Sequence, residues 1–179
     1  TVGILGANSG GFGTDMWSDT PREIIDSLMT LLPASPASRT ISRIREQLLL
    51  TAAAVPSSSV PHAESLLLRR VRALFDSGDL ASAAALLDVV PTTHREEALS
   101  KLSVDIALLG NELSRACETV AAWVDRSPDR YWQKALVFCE VLVGPGQDFI
   151  FIGAIVGNDE GEGRLTPFVM RNANHRYIQ

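Results

Sequence analysis

The sequence predicts an all-α fold of antiparallel helical hairpins, with an extended N-terminal arm and a short strand-like C-terminal tail. Three observations lead there. Alanine and leucine are abundant while only 6% of the 179 residues are aromatic, a composition of helices rather than of sandwiches or barrels. Apolar residues recur at helical spacing between punctuating glycines and prolines. The pattern also returns after a shift of about 33 residues, the period of a repeated helix–turn–helix unit.

Residues 1–19 carry five glycines and little periodicity, and read as an extended arm. Thr20-Pro21-Arg22-Glu23 has the form of a capping box with proline at the first helical position. Ile24, Ile25, Leu28, Leu31 and Leu32 keep helical spacing up to Pro33. A second helix is expected from Ser35-Pro36 to Val55, with Ile41, Ile44, Leu48, Thr51, Ala52 and Val55 as its apolar stripe, so that 20–55 forms an N-terminal helical pair. Pro56 to Pro61 is a linker by composition.

Residues 62–146 are read as the repeats. Helices are expected from His62 to Gly78, Asp79 to Val90, Thr93 to Leu109, Asn111 to Arg126 and Asp129 to Val143, each stopped by glycine or proline. Turns this short place neighbours antiparallel. The repeat shift lays Leu80, Ala83, Ala84 and Leu87 over Leu113, Ala116, Cys117 and Val120, and Val71 over Val104 and Val137. Residues 147–179 change character. Phe149 to Val156 is aromatic and β-branched, a strand signal, and Leu165 to Met170 is a second candidate. Arm and tail bury little by themselves and are expected to order only against a partner or another copy.

The runs ALFDSGDLASAAALL and ALLGNELSRACETVAAWV resemble the helix-turn-helix centre of tetratricopeptide-type repeats, over residues 62–143. The family's early Trp, Leu-Gly and Tyr positions are not filled in their usual places. The stretch YWQKALVFCEVLVG is similar to exported helical-repeat proteins of Gram-negative bacteria. The first resemblance implies a stacked helical scaffold that binds proteins or peptides without catalysis. Together they imply a protein partner in a larger, cell-envelope assembly and a periplasmic or otherwise exported location, with a cytoplasmic one as the alternative.

The chemistry-bearing residues are sparse. A net charge of -5 argues against nucleic acid or an anionic membrane held by bulk charge. The longest apolar run, Phe149 to Val156, is far short of the ~18 residues of a membrane span. Thr1 in place of Met is expected to mark a segment removed ahead of it. The glycines of Val2 to Gly11 lack the spacing of a dinucleotide fingerprint, no helix opens before Thr20, and no lysine completes a phosphate loop. His62, His94 and His175 form no His-x-x-x-His pair. Asp159, Glu160 and Glu162 lack the order of a calcium loop, and no Gly-x-Ser-x-Gly elbow exists. The expectation is therefore no catalytic residue, no metal and no cofactor. The competing reading is an enzyme or small-ligand protein with its site in the glycine-rich segment or the acidic tail loop.

Trp123, Tyr131, Trp132, Phe149 and Phe151 are candidate partner-binding residues; for the first three the helical spacing favours a place in the core over a groove for a peptide. Cys117 and Cys139 lie on either side of Pro128 at the same distance along the chain. At ~1.5 Å per residue they stand at equal heights on consecutive helices. A disulfide is expected, which implies an oxidising compartment; two buried thiols in a reducing one is the alternative.

Overall fold

The computed structural model of the protein describes residues 2–56, 64–91 and 95–143. Among these residues there are seven α-helices: α1 (Arg22–Leu31), α2 (Arg39–Leu50), α3 (Leu66–Asp76), α4 (Leu80–Asp88), α5 (Glu97–Leu109), α6 (Leu113–Trp123) and α7 (Arg130–Val143). Extended pairing among the described residues is confined to two isolated bridges, Val2 with Ala53 and Leu5 with Thr51. The described residues are all-α, as the composition and spacing predict. The strand-like tail, the linker from Ser57 to Pro61, and His62, His94 and His175 lie outside the described residues.

The chain divides into two units, residues 1–119 and 120–179. In the first, α3 is the hub and packs against α1, α2, α4 and α5. Its Leu66, Leu68, Val71 and Leu74 are buried, and with Ile25, Met29, Leu49, Leu50, Leu86, Leu87 and Leu99 they form one core. Residues 20–55 therefore do not form a hairpin that closes its own core. Both α1 and α2 complete theirs on α3.

The two N-terminal helices also begin and end differently from expectation. Thr20 does not cap α1: its N–H donates to the Trp17 carbonyl in the preceding turn, and Pro21 takes the cap position with no side-chain bond. The Pro21 carbonyl instead receives the N–H groups of Ile24 and Ile25. The second helix is shorter than 35–55. It ends at Leu50 because Thr51 turns to extended backbone, its hydroxyl donating to the Gln47 carbonyl at 2.6 Å. Residues 51–54 then lie against the arm rather than continuing the helix.

From α3 onward the boundaries follow the local signals, and two turns, at Gly78 and Asn111, are built alike. After α3, Gly78 (φ 78°) donates to the Phe75 carbonyl and Asp79 to Leu74; after α5, Asn111 (φ 61°) donates to Leu108 and Glu112 to Ala107. This is the paired 6→1 and 5→2 closure of a helix C-terminus, which needs a left-handed residue. Ala83 and Ala116, and likewise Leu87 and Val120, which the sequence shift lays over one another, are fully or nearly fully buried. The match in burial fails at Val137, which is 38% exposed where Val71 and Val104 are fully buried.

The left-handed turns give a direct test. No atom lies within 4 Å of a Cβ placed on Gly78, so Gly78→Ala is a pure backbone cost of about 1 kcal/mol. Asn111→Gly is expected to gain a few tenths, since asparagine already tolerates this region. Urea denaturation of both variants checks the pair, and opposite signs are the expected result.

Candidate functional site

The glycine-rich segment is folded onto the chain's own helices, not held out for a partner. An α-helix leaves its last carbonyls without intrahelical donors. At the end of α2 the segment supplies them: Ile4 and Leu5 donate to the Leu50 carbonyl at 2.9 and 3.0 Å. In return Ala52 donates to Leu5 at 2.8 Å and Ala54 to Thr14 at 2.9 Å. The Phe12 N–H reaches the Thr51 hydroxyl at 3.1 Å. Two glycines are required by close approach. A Cβ on Gly3 would overlap the backbone of Ala52, and one on Gly11 would overlap the Leu5 carbonyl. Val2, Leu5 and Trp17 pack against the core.

Arg70 completes this arrangement. It projects from α3, is 3% exposed, and donates to the carbonyls of Leu49 (2.6 Å), Val2 (2.7 Å) and Thr51 (2.8 Å). Burial draws its guanidinium down to about 10, so it is charged at neutral pH. Two more arginines act in the same way. Arg45, on α2, donates to the Ala73 carbonyl in the last turn of α3. Arg95 donates to Leu87 and Val90 at the end of α4. Burial lowers the pKa of both, in the case of Arg95 with help from nearby Arg115. The three thus satisfy backbone acceptors at the ends of three helices, where a cation also meets the favourable pole of the helix dipole. Sequence reasoning misses them, although a signal is present. Arg70 is four residues from both Leu66 and Leu74, so it lies on the buried face of its own helix.

The outer surface of α1 has a different character. Ile25 and Met29 are buried, whereas Ile24 (51% exposed), Leu28 (53%) and Leu31 (76%) form an outward row. Their spacing of four and three residues puts them on one face. On α2, Ile41 and Ile44 are likewise exposed while Leu49 and Leu50 are buried. The stripe read for α1 is thus split between core and surface, whereas that read for the second helix is misplaced: Ile41, Ile44 and Val55 are exposed, only Thr51 of it is buried, and the core residues Leu49 and Leu50 lie outside it. A shallow depression beside Leu31 is lined by Asp26, Ser27, Thr30 and Arg69, where Arg69 and Arg22 pair with Asp26.

In the second unit, the aromatic candidates form a cluster. Trp132 is fully buried. Its ring stacks on Trp123, with centroids 5.4 Å apart and planes 7° from parallel, and Tyr131 meets it edge-on at 5.1 Å. Trp132 therefore offers no surface to a partner, because its large ring is enclosed by packing. Trp123 and Tyr131 are half-buried. Phe149 and Phe151, and the acidic tail loop with Asp159, lie outside the described residues. Cys117 and Cys139 form a pair at disulfide distance, as their spacing leads one to expect.

No family model, curated protein or solved structure matches the chain. The candidate surfaces therefore stand on their own chemistry. They are an apolar row on α1 and a slot at the end of α2 filled by the arm. Among the described residues, no helix is long and apolar enough to cross a membrane.

Proposed function

We propose that this chain is a non-catalytic helical-repeat scaffold that joins proteins within a larger assembly of the cell envelope. The observation that carries the reading is the outward row of Ile24, Leu28 and Leu31. Single exposed aliphatic side chains are ordinary. Three in register on one helix, with the adjoining face already committed to the core, make a surface suited to another protein. The like-built turns after α3 and α5 support a repeated unit. The disulfide supports an exported location, since such bonds persist in oxidising compartments.

The test is a variant carrying Leu28→Glu and Leu31→Glu. Both positions are exposed, so its stability is expected to change by about 0.5 kcal/mol or less. Native complexes of tagged wild-type and variant protein are then isolated from cells that make the protein. The expected result is a stoichiometric protein partner retained by the wild type and lost by the equally helical variant. A partner-free wild type carrying a bound nucleotide or small molecule in native mass spectrometry would reject the scaffold reading in favour of a ligand-binding one.

A further inference from the structure

The place where the arm rests is a docking slot in its own right. It is made of the last carbonyls of α2, the extended backbone of Thr51 to Ala54, and Arg70. Four bonds join its main chain to that of the arm, and two more, Arg70 to the Val2 carbonyl and the Phe12 N–H to the Thr51 hydroxyl, also use only the arm's main chain, so it reads an extended backbone more than a set of side chains. Selectivity comes from steric exclusion: only glycine fits against Ala52 at position 3.

The occupant is shallowly seated. Of residues 2–14 only Gly13 is buried, and Ile4 and Phe12 are 38% and 49% exposed. Apart from Val2 and Leu5, which are partly buried against the core, the segment has few apolar contacts, and its surface-lying backbone bonds mark it as opening at lower cost than the helices behind it. Opening leaves the Leu50 carbonyl and the Arg70 guanidinium short of partners they hold in the closed state. The segment that restores every one of those bonds, with glycine where glycine is needed, is the same segment from another molecule.

We infer that the slot formed by Leu50 to Ala54 and Arg70 also accepts the glycine-rich arm of a second copy of this chain, so that copies link by exchanging residues 2–14. Exchange of an identical element needs no new interface chemistry. The turn at Asp15 to Thr20, closed by the Ser18 and Thr20 N–H groups, is the hinge. This inference is independent of the scaffold reading, which concerns the outer row of α1.

The experiment uses full chains and a labelled peptide of residues 1–15. Gly3→Ala in the full chain unseats its own arm and leaves the slot open. That variant is expected to bind the wild-type peptide at least tenfold more tightly than the wild-type chain does, because the wild-type arm competes at an effective concentration in the millimolar range. A peptide carrying Gly3→Ala is expected to bind neither chain. In sedimentation, the wild type is expected to form dimers as concentration rises, and Gly3→Ala, whose arm fits no slot, to remain monomeric. A folded Gly3→Ala chain that ignores the wild-type peptide overturns the inference. So does a dimer that persists unchanged in Gly3→Ala, since it would place self-association on another surface. If Gly3→Ala loses its helical spectrum, Gly11→Ala serves with the same expectations, because it distorts the arm against the Leu5 carbonyl and leaves the slot intact.

Discussion

Replacing Arg70 with methionine is expected to destabilise the protein by about 4 kcal/mol, although the new side chain is apolar and the site is buried. Three charge-assisted hydrogen bonds are lost, each worth ~1.5–3 kcal/mol at most. The Leu49 and Thr51 carbonyls are left facing an apolar side chain, and the end of the arm at Val2 loses its anchor. Truncating a buried charge usually harms by stranding the opposite charge; here it harms by stranding backbone acceptors. Arg70→Lys is expected to recover only part of the loss, because a single ammonium on a flexible stem lacks the planar fork that spans three carbonyls. Urea unfolding followed by circular dichroism measures both. A methionine variant with the wild-type midpoint would mean that water satisfies these carbonyls as well as the guanidinium does.

Reduction of the Cys117–Cys139 bond is expected to have the next largest effect. The bond closes a loop of about 22 residues, worth roughly 3 kcal/mol in the chain-entropy model. The expected outcome is a lower melting temperature in reductant, matched by a Cys117→Ser/Cys139→Ser variant without reductant. Thiol titration of the unreduced, denatured protein should find no free thiol. Two free thiols would remove both the bond and the strongest support for an exported location.

What the sequence made legible was local. Gly78-Asp79, Gly110-Asn111 and Asp129 announce helix ends within a few residues of where they occur, because the closing bonds join residues three to five apart. The pairing of the cysteines was also legible, from their equal distance to one turn. What stayed hidden was set by distant partners. Ile24, Ile25, Leu28, Met29 and Leu31 supply apolar residues on more than one face of α1, and only the position of α3 selects Ile25 and Met29 for the core. Five glycines suggest freedom in the arm. Its order comes from Ala52, Thr51 and Arg70, the last of these 68 residues from the Val2 carbonyl it holds. Trp132 counts among the partner-binding candidates by sequence because spacing alone does not separate a buried tryptophan from an exposed one.

The arginines that close α2, α3 and α4 bind main-chain oxygen, and this shapes how the fold responds to sequence change. Every residue type offers the same carbonyl, so no substitution at Leu49, Ala73 or Leu87 removes the acceptor group itself. The dependence runs one way: Arg45, Arg70 and Arg95 are individually constrained, while the positions they contact are free of any matching constraint. A set of diverged sequences would show these arginines as fixed points without correlated partners. Methods that find contacts from paired substitutions would pass over the bonds on which the ends of three helices depend.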